Sequence, residues 1–495
     1  MNDLLPEVAA FLADTPKKFC IGGRWVEAAD GATFDTLDPG NGTVLATVSA
    51  GGPNDIDRAV QAGDDAFRRS GWATMPVAER SAILRRLADL IVERQEIIGQ
   101  IESLDVGKPR AQATGFDVPF AAEAFRYYAG LAEETQRRVV LQVAGYEAHS
   151  ALMPYGVCGF IFPWNFPFLL VGWGIAPALA AGNTVVIKPA EDTPLSTLYF
   201  AKLVEEAGIP AGVVNVVTGM GESAGAALAA HPGLKRMSFT GSPEIGRLIA
   251  ESCGRNLTPV KLELGGKGAA VVFEDVEVET VAQSLAEAVT LNAGQVCCTA
   301  TRWLLHESIH DAFIEQAREV MASMQIGYGG DPETELGPVV SDKQRRRVLG
   351  YLERGLSEGA QSVLTGGKAD VSGRPEGFYV KPALLEGAPD NVCARDEIFG
   401  PVAYIILFRN EEEAIDLVHR SAYGLANSVW SEDLERARRV GESLVAGNTW
   451  INTHNLFAYG IPYGGCNLSG CGGGVLGPDT FRDYLRSQSI ARPVA

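Results

Sequence analysis

Short β-branched runs alternate with amphipathic helical segments through the middle of the chain, and this alternation restricts the fold more than any other feature. The predicted elements of this segment are, in chain order, a strand at 184–188, a helix at 194–207, a strand at 213–217, a helix at 222–230, a strand at 236–240 and a helix at 243–253. Because parallel strands are joined by crossover helices, this order predicts a parallel, doubly wound sheet.

A second alternation begins after residue 264. Its predicted strands lie at 271–273, 301–305 and 403–408, and its predicted helices at 278–292, 309–325 and 345–358. Two further helices are predicted near the start of the chain, at 55–69 and 77–101. A chain of 495 residues is long enough for two to four domains. We therefore predict an α/β fold with two units that are joined near residue 265.

Residues 151–187 carry no charged side chain. A stretch of this length could span a bilayer, but prolines at positions 154, 163, 167 and 177 would interrupt a spanning helix repeatedly. We interpret it as the interior of a globular domain, with no membrane association. The net charge of −19 also argues against nucleic acid and anionic membranes as partners, since both bind basic patches.

Eight cysteines are scattered along the chain without a Cys-x-x-Cys spacing, which favours a reducing cytoplasm over a disulfide framework. The first residues carry acidic side chains before any basic one, unlike a secretory signal. His306 and His310 are four residues apart in a segment predicted to be helical. Because no cysteines or carboxylates accompany them convincingly, we interpret them as surface residues and predict no metal site.

Cys297 lies among small residues in the segment NAGQVCC (292–298), and Glu263 lies upstream in LELGGK (262–267). A thiol and a carboxylate can act as nucleophile and base, so that the thiol captures a carbonyl and activated water hydrolyses the acyl group. From the thiol alone, inert packing is the simpler interpretation, because free cysteine is among the most buried residue types.

Two segments at predicted strand ends suit a nucleotide. Gly241 and Ser242 join a strand to a helix, with Ser242 as the N-cap and Pro243 at the first helical position, so that free N–H groups there could hold a pyrophosphate. A plain turn is the alternative. Lys188 and Glu191 follow another strand, where they could bind the hydroxyls of a ribose. A solvated surface pair is the alternative.

Two further polar groups lie in loops. Asn165, in FPWNFP (162–167), either braces its loop or presents its NH₂ to a developing oxyanion. Glu397, in EIFGP (397–401), either offers a carboxylate to a sugar hydroxyl or braces its turn.

Together these segments resemble, in order and spacing, the NAD(P)-dependent aldehyde dehydrogenase superfamily of the non-acylating, hydrolytic type. The segments that carry the resemblance are PWNFP (163–167), KPAE (188–191), FTGS (239–242), LELGGK (262–267), GQVC (294–297) and EIFGP (397–401). The likeness extends over about residues 18–490.

The resemblance implies that the chain oxidises an aldehyde to a carboxylic acid with NAD. Cys297, two positions after Gln295, would be the nucleophile rather than Cys298. The Asn165 side chain and the Cys297 backbone N–H would hold the oxyanion, and Glu263 would be the base that activates water to hydrolyse the thioester.

The resemblance also implies the binding residues. The cofactor positions are Lys188 and Glu191 for the adenosine ribose, Gly241 and Ser242 for the pyrophosphate, Glu397 for the nicotinamide ribose with Phe399 beside it, and Trp164. The Glu191 carboxylate would repel a 2′-phosphate, so NAD is expected rather than NADP. The positions that match the substrate tunnel are Phe166, Leu170, Trp173, Leu291, Phe457 and Tyr463.

These tunnel positions are apolar or aromatic, which favours an uncharged aliphatic or aromatic aldehyde. Trp173 and Tyr463 would also suit a quaternary ammonium group, so a betaine-like aldehyde stays open.

Two features depart from the family's pattern. Gly174 stands where many members carry a lysine, and SGCGGG (469–474) replaces the commoner Ser-Gly-x-Gly-Arg-Glu, which puts an Arg–Glu contact in doubt. Cys298 could form an inactivating disulfide with Cys297, and Lys267 is interpreted as structural.

The implied fold has a Rossmann-like parallel-sheet cofactor domain (18–137 and 156–264), a second α/β catalytic domain (265–465) and a small β oligomerisation element (138–155 and 466–495). A homodimer or homotetramer is expected. Two alternatives stay open: a CoA-acylating dehydrogenase, against which Glu263 argues, and a non-catalytic structural protein on the same fold.

Overall fold

The computed structural model describes residues 4–494. The α-helices of this part of the chain are α1 (Pro6–Ala13), α2 (Pro53–Arg69), α3 (Val77–Glu93), α4 (Gln95–Val106), α5 (Arg110–Gln112), α6 (Val118–Glu134), α7 (Pro167–Ala181), α8 (Leu195–Glu206), α9 (Ala226–Ala230), α10 (Pro243–Arg255), α11 (Val278–Thr290), α12 (His310–Ser323), α13 (Asp342–Ser357), α14 (Val392–Arg395), α15 (Glu411–His419), α16 (Leu434–Ser443) and α17 (Pro478–Arg482).

The strands of the same residues are β1 (Phe19–Ile21), β2 (Arg24–Val26), β3 (Thr33–Leu37), β4 (Val44–Ser49), β5 (Arg138–Val143), β6 (Tyr146–Pro154), β7 (Val157–Ile161), β8 (Thr184–Lys188), β9 (Val214–Val216), β10 (Arg236–Thr240), β11 (Val260–Glu263), β12 (Gly268–Val272), β13 (Ala300–His306), β14 (Gln361–Leu364), β15 (Gly367–Lys368), β16 (Val380–Lys381), β17 (Ala383–Glu386), β18 (Val402–Phe408), β19 (Ala426–Trp430), β20 (Asn448–Ile451), β21 (Gly470–Cys471) and β22 (Leu485–Pro493).

The first large sheet has the strand order β2-β1-β9-β8-β7-β10-β11-β21. Its five central strands, from β9 to β11, run parallel. Antiparallel strands complete both edges. Every residue of β7 and β8 is buried, which fits a parallel sheet covered by helices on both faces. The predicted parallel, doubly wound sheet is confirmed.

The second large sheet has the order β14-β17-β18-β13-β12-β19-β20. All of its neighbouring strands are parallel except the β14–β17 pair. The carboxyl ends of parallel strands meet at one edge of each sheet, where α/β proteins bind their ligands. The second predicted α/β unit therefore has the expected architecture.

A third sheet is antiparallel, with the order β22-β6-β5. All six residues of its edge strand β5 are exposed. The short strand β21, which lies between residues 466 and 495, pairs with β11 and so belongs to the first large sheet.

The uncharged stretch 151–187 contributes β7, α7 and β8 to the interior. Helix α7 is buried along its length except at Leu170. Among residues 4–494, no helix is long and apolar enough to cross a membrane.

Three details of the predicted secondary structure are wrong. The predicted helix 77–101 is two helices, because Arg94 (φ −107°, ψ 16°) interrupts it. The predicted helix 222–230 is α-helical only from Ala226, after a π-helical turn over Gly221–Gly225. His306 ends β13 and precedes α12, so it does not share a helix with His310. Hydrophobic periodicity does not detect the break at Arg94, because one non-helical residue leaves the apolar spacing almost unchanged.

Candidate active site

A cavity of about 680 Å³ is lined by residues from both α/β units. Its wall includes all of the predicted catalytic and substrate residues and all but two of the predicted cofactor residues, namely Asn165, Glu263, Cys297, Trp164, Gly241, Ser242, Glu397, Phe399, Phe166, Leu170, Trp173, Leu291, Phe457 and Tyr463. Lys188 and Glu191 are not part of this wall.

The glycines of LELGGK bring the two units into contact. A Cβ atom at Gly265 would overlap the Glu397 carboxylate, and one at Gly266 would overlap the carbonyl oxygen of Cys297. The backbone N–H of Gly266 donates to the Glu397 carboxylate at 2.9 Å. Only residues without side chains allow this approach, which places Glu397 and the Cys297 segment beside the end of β11.

Cys297 follows α11 after a left-handed turn. Asn292, Ala293 and Gly294 have φ values of 49°, 55° and 72°. For a non-glycine residue such a conformation costs on the order of 1–3 kcal/mol, and functional loops commonly contain it. The turn places the half-buried Cys297 thiol on the cavity wall.

Two hydrogen bonds favour the thiolate form of Cys297. The neighbouring Cys298 thiol and the Tyr463 hydroxyl hold the pKa of Cys297 below its usual range, against the effect of burial. The Cys297 Sγ lies 3.3 Å from the Tyr463 hydroxyl oxygen. The same contact with Cys297, together with burial, raises the pKa of Cys298 well above its usual range. Cys297 is half-buried whereas Cys298 is buried, so Cys297 is also the more accessible of the two thiols.

Asn165 connects the loop after β7 to the cysteine segment. Its side-chain Nδ2 donates to the backbone carbonyl oxygen of Gln295 at 2.9 Å. The backbone carbonyl oxygen of Asn165 accepts from Asn292 Nδ2 at 2.8 Å. An amide NH₂ carries two hydrogens, so a second donor remains beside the cavity. Asn165 thus braces the loop and has a donor left for an oxyanion, which were the two alternatives for this residue.

Glu263 ends β11 with its side chain almost fully buried. Burial raises its pKa to about 8, the Lys261 ammonium opposes this shift, and the charges of Cys297 and Asp483 add to it. Its Oε2 atom has no hydrogen-bond partner among residues 4–494. A carboxyl group of this kind can accept a proton near neutral pH.

The predicted nucleotide side of the cavity includes the N-terminus of α10. Ser242 is the N-cap as predicted, with its Oγ accepting from the backbone N–H of Ile245 at 3.3 Å, and Pro243 occupies the first turn. Trp164 and Phe399 contact each other edge to face, with ring centroids 5.2 Å apart. Burial raises the pKa of Glu397 to about 7.

Sequence reasoning missed several residues of this wall. Lys343, Gln344 and Arg347 of α13 line the predicted nucleotide side. Gln344 Nε2 donates to the carbonyl oxygen of Phe399 at 2.7 Å, and Arg347 donates to that of Glu397 at 2.7 Å. The only available signal was the cluster of basic residues at 343–347 at the start of a predicted helix.

Lys188 and Glu191 form an ion pair at the carboxyl end of β8, with Lys188 Nζ 2.6 Å from the Glu191 carboxylate. Lys188 is buried and Glu191 is partly exposed. Although burial raises the pKa of Glu191, the charge of Lys188 and its hydrogen bond hold that pKa below the usual range. Glu191 is therefore ionised at neutral pH.

The predicted substrate side of the cavity is aromatic. The ring centroid of Trp173 lies 5.8 Å from that of Phe457 and 6.0 Å from that of Tyr463, and the last two lie 5.4 Å apart. Phe116 and Leu169 also line this side and were missed, because their helices gave no functional signal. Asp117, another lining residue, is paired with the buried Lys108 at 2.6 Å.

Gly174 and the glycines of SGCGGG, the two departures from the family's pattern, lie close to other groups of the protein. A Cβ atom at Gly174 would lie 2.6 Å from the Phe162 ring. Gly472, Gly473 and Gly474 all have left-handed φ values, of 95°, 91° and 65°, and a Cβ at Gly473 would overlap the Asp483 carboxylate. Side chains at Gly472, Gly473 and Gly474 would strain the backbone, whereas one at Gly174 would require the Phe162 ring to move.

The two histidines have other partners. His310 contacts Asp311 and Glu386, both at 2.8 Å, and His306 contacts Ser308 and the carbonyl oxygen of Arg409. Within residues 4–494, no group of His, Cys, Asp and Glu side chains is arranged to hold a metal ion.

The fold and the cavity together define a class of protein: a doubly wound α/β enzyme with an activated thiol, a buried carboxyl group and an amide donor on one cavity wall. The chain belongs to the aldehyde dehydrogenase family, whose family model matches residues 25–490. The predicted resemblance is confirmed.

Relatives match nearly the full chain. A mitochondrial benzaldehyde dehydrogenase of Antirrhinum majus is 40% identical over 475 residues, which are 96% of this chain and 88% of that protein. A phenylacetaldehyde dehydrogenase of Pseudomonas fluorescens is 38% identical over 480 residues, 95% of each chain. The solved NAD⁺ complex of an aldehyde dehydrogenase from Bacillus cereus has a TM-score of 0.96 and 38% identity, covering 100% of this chain and 99% of that one.

Proposed function

We propose that this protein oxidises an aldehyde to its carboxylic acid with NAD, through a thioester on Cys297 that water hydrolyses. The observation that carries the proposal is that Cys297, Asn165 and Glu263 line one cavity. Membership of the aldehyde dehydrogenase family and the Bacillus cereus relative solved with NAD⁺ support it.

The first step is attack of the Cys297 thiolate on the aldehyde carbon, which places negative charge on the aldehyde oxygen. The free N–H of Asn165 Nδ2 and the backbone N–H of Cys297 would donate to that oxygen. One such donor typically contributes about 3–4 kcal/mol to the stability of the transition state. The bond between Asn165 and Gln295 orients the amide in advance.

The residues of the nucleotide side fit a dinucleotide. The N-terminus of α10 with Gly241 and Ser242 suits a pyrophosphate, and Lys343 and Arg347 add positive charge to the same wall. Glu397 offers a carboxylate to a ribose hydroxyl. Bound NAD would supply the hydride acceptor that the oxidation requires.

Hydrolysis of the thioester needs a base, and Glu263 supplies it. Its carboxylate takes a proton from water while the hydroxide attacks the thioester carbon, and the Cys297 thiolate leaves. This step also decides between the main function and the CoA-acylating alternative. Free acid as the product supports hydrolysis, and acyl-CoA formed with added coenzyme A would establish the alternative.

The cofactor is NAD rather than NADP. The ionised Glu191 would repel a 2′-phosphate. The Lys188 ammonium is already paired with Glu191, so it is not free to bind that phosphate. Turnover at equal concentrations of the two cofactors tests this preference, and faster turnover with NADP would contradict it.

The substrate is an uncharged aromatic or aliphatic aldehyde. The aromatic side chains Trp173, Phe457 and Tyr463 contact each other around the thiol end of the cavity. The relatives named for benzaldehyde and phenylacetaldehyde support the aromatic class. A panel of benzaldehyde, phenylacetaldehyde, hexanal, betaine aldehyde and an anionic semialdehyde tests it, with NADH formation as the readout and Cys297→Ala as the inactive control. Preference for the semialdehyde would overturn the substrate class.

The three-stranded sheet β22-β6-β5 is the proposed oligomerisation element, with the two large sheets as cofactor and catalytic domains. Its exposed edge strand β5 presents Val139, Val140, Leu141 and Val143, and an unpaired apolar edge favours association with a second copy. Light scattering after gel filtration would show a dimer or tetramer.

All eight cysteines lie within the described residues and are free thiols, which supports the cytoplasm as the compartment.

A further inference from the structure

Lys261 and Glu263 are two positions apart on β11, so their side chains leave the strand on the same face. Both line the active-site cavity, and both are almost fully buried. A buried ammonium is costly unless an opposite charge or hydrogen bonds compensate it. Sequence reasoning did not select Lys261, although a lysine at a buried strand position is unusual.

Burial lowers the pKa of Lys261 to about 8, and the Glu263 charge opposes that shift, so each charge of the pair favours the other. Lys261 has few other contacts that stabilise its ammonium. Its Nζ donates to the carbonyl oxygen of Gly474 at 3.1 Å and lies 5.4 Å from the centroid of the Tyr484 ring. An ammonium has three donors, and these contacts use one of them in a conventional hydrogen bond. Glu263, on the same face, has an oxygen without a hydrogen-bond partner among residues 4–494.

The other charges around this pair act on it less directly. Asp483 interacts unfavourably with Glu263 and favourably with Lys261, but it is itself paired with Arg236 at 3.0 Å. The remaining charge that faces Glu263 is that of the Cys297 thiolate, which opposes ionisation of the carboxyl group.

The thiolate charge changes during the reaction. Once Cys297 carries the acyl group its sulfur is neutral, and its repulsion of Glu263 ends. Lys261 then remains as the cation that acts on Glu263 from the same face of the strand. Its hydrogen bond goes to Gly474, whereas Asp483 is paired with Arg236. At the hydrolysis step, when Glu263 must be ionised to accept a proton, the thiolate charge therefore no longer opposes the effect of Lys261.

We propose that Lys261 is a positioning residue that favours the ionised form of Glu263 during hydrolysis of the thioester. The inference rests on the proposed function, because it assigns Lys261 a role in that reaction. Water gives its proton to the Glu263 carboxylate, the resulting hydroxide bonds to the thioester carbon, and the carbon–sulfur bond breaks to return the Cys297 thiolate. Lys261 contributes its positive charge and exchanges no atoms.

Two variants separate charge from structural bracing. Lys261→Gln retains a donor for the Gly474 carbonyl and loses the charge, whereas Lys261→Arg retains both. Lys261→Met removes both at similar length and gives a second uncharged variant. Lys17→Met is the matched control, because Lys17 is also buried and donates to the carbonyl oxygens of Phe11 and Asp14, away from the cavity.

The readout is the pH dependence of the steady-state rate under conditions where hydrolysis limits turnover, together with the NADH burst of the first turnover. Loss of the positive charge raises the pKa of Glu263, so the rising limb of the profile moves to higher pH. We expect Lys261→Gln and Lys261→Met to move it by about one pH unit, which is about a tenfold loss of rate on the acidic side. The burst should persist, and Lys261→Arg should restore the limb.

Each contrary result has a defined meaning. A wild-type limb in either uncharged variant would show that the charge of Lys261 does not control ionisation of Glu263, and would overturn the proposal. A shifted limb in Lys17→Met would show that losing any buried lysine suffices, and would also overturn it. A wild-type protein that forms no NADH from any aldehyde would instead refute the proposed function.

Discussion

The Sγ atom of Cys297 lies 3.3 Å from the phenolic oxygen of Tyr463. Tyr463 is a predicted substrate-tunnel residue, and in the structure it also contacts the reactive thiol. A phenol donates a stronger hydrogen bond to a thiolate than to a thiol, because the acceptor is charged. This contact is one of the causes that hold the pKa of Cys297 below its usual range.

Tyr463→Phe should therefore raise the pKa of Cys297. We expect alkylation by iodoacetamide at neutral pH to slow by about threefold to tenfold, which corresponds to a shift of about half to one pKa unit. The midpoint of the pH–rate curve should move to higher pH. Tyr459→Phe is the control, because that hydroxyl belongs to the same aromatic cluster but donates to Phe120. Equal curves for wild type and Tyr463→Phe would rule out the role of the hydroxyl.

Glu263→Gln should separate the two halves of the reaction. The burst of NADH should remain, because thiolate attack does not need the base, whereas steady turnover should fall by about 10²–10⁴-fold. Since only the ionised carboxylate accepts a proton and its pKa is raised to about 8, wild-type hydrolysis should increase as pH rises through that value. Stopped-flow absorbance measures both phases, with Glu251→Gln on the exposed face of α10 as the control. Unimpaired turnover in Glu263→Gln would assign the base elsewhere.

Asn165→Ala should lower kcat by about 10²–10³-fold, the effect expected for loss of one oxyanion donor. Because Asn165 also braces the cysteine segment through Gln295, alkylation of Cys297 must be measured in parallel. A near-normal alkylation rate with a large loss of kcat indicates the oxyanion role. Equal losses in both assays would indicate bracing alone. Asn183→Ala, which removes a buried amide that donates to Ala178 and Tyr484, controls for general loss of stability.

Glu191→Gln should weaken the discrimination against NADP. Removal of the carboxylate ends the repulsion of a 2′-phosphate and frees the Lys188 ammonium from its ion pair. We expect the ratio of kcat/KM for NAD to that for NADP to fall by about tenfold, a change of about 1.4 kcal/mol. Glu206→Gln, which changes an exposed acid at the last residue of α8 and leaves the Lys188–Glu191 pair intact, should leave the ratio unchanged. An unchanged ratio in Glu191→Gln would remove this residue from cofactor selection.

Two helical glycines should respond to alanine in opposite directions. Gly174→Ala should destabilise the protein by about 1–3 kcal/mol, because the added Cβ would meet the Phe162 ring at 2.6 Å. Gly130→Ala in α6 should stabilise it by about 0.4–1 kcal/mol, since nothing lies within 4 Å of the added atom. Chemical denaturation measures both changes. A stable Gly174→Ala protein would show that the ring can move and that sterics do not exclude a side chain there.

Local sequence patterns located many elements correctly. The strands predicted at 184–188 and 236–240 have the bounds of β8 and β10, because β-branched runs between turn residues are short-range signals. Ser242 and Pro243 likewise have the predicted capping positions. The break at Arg94 was missed, since it interrupts an otherwise continuous apolar periodicity.

Sequence patterns alone were enough for the α/β alternation in the middle of the chain, the family, and the segments that contain Cys297, Glu263 and Asn165, whereas strands such as β11 and β19 were not predicted. Those features depend on neighbouring residues and on motif order. The tertiary structure alone decided which distant groups meet: Tyr463 at the Cys297 thiol, the Gly474 carbonyl at Lys261, and Glu397 against Gly265. Such contacts join residues more than a hundred positions apart, so they depend on how two sheets and their loops pack. The same packing removes water from Glu263 and Lys261, and that burial shifts their pKa values.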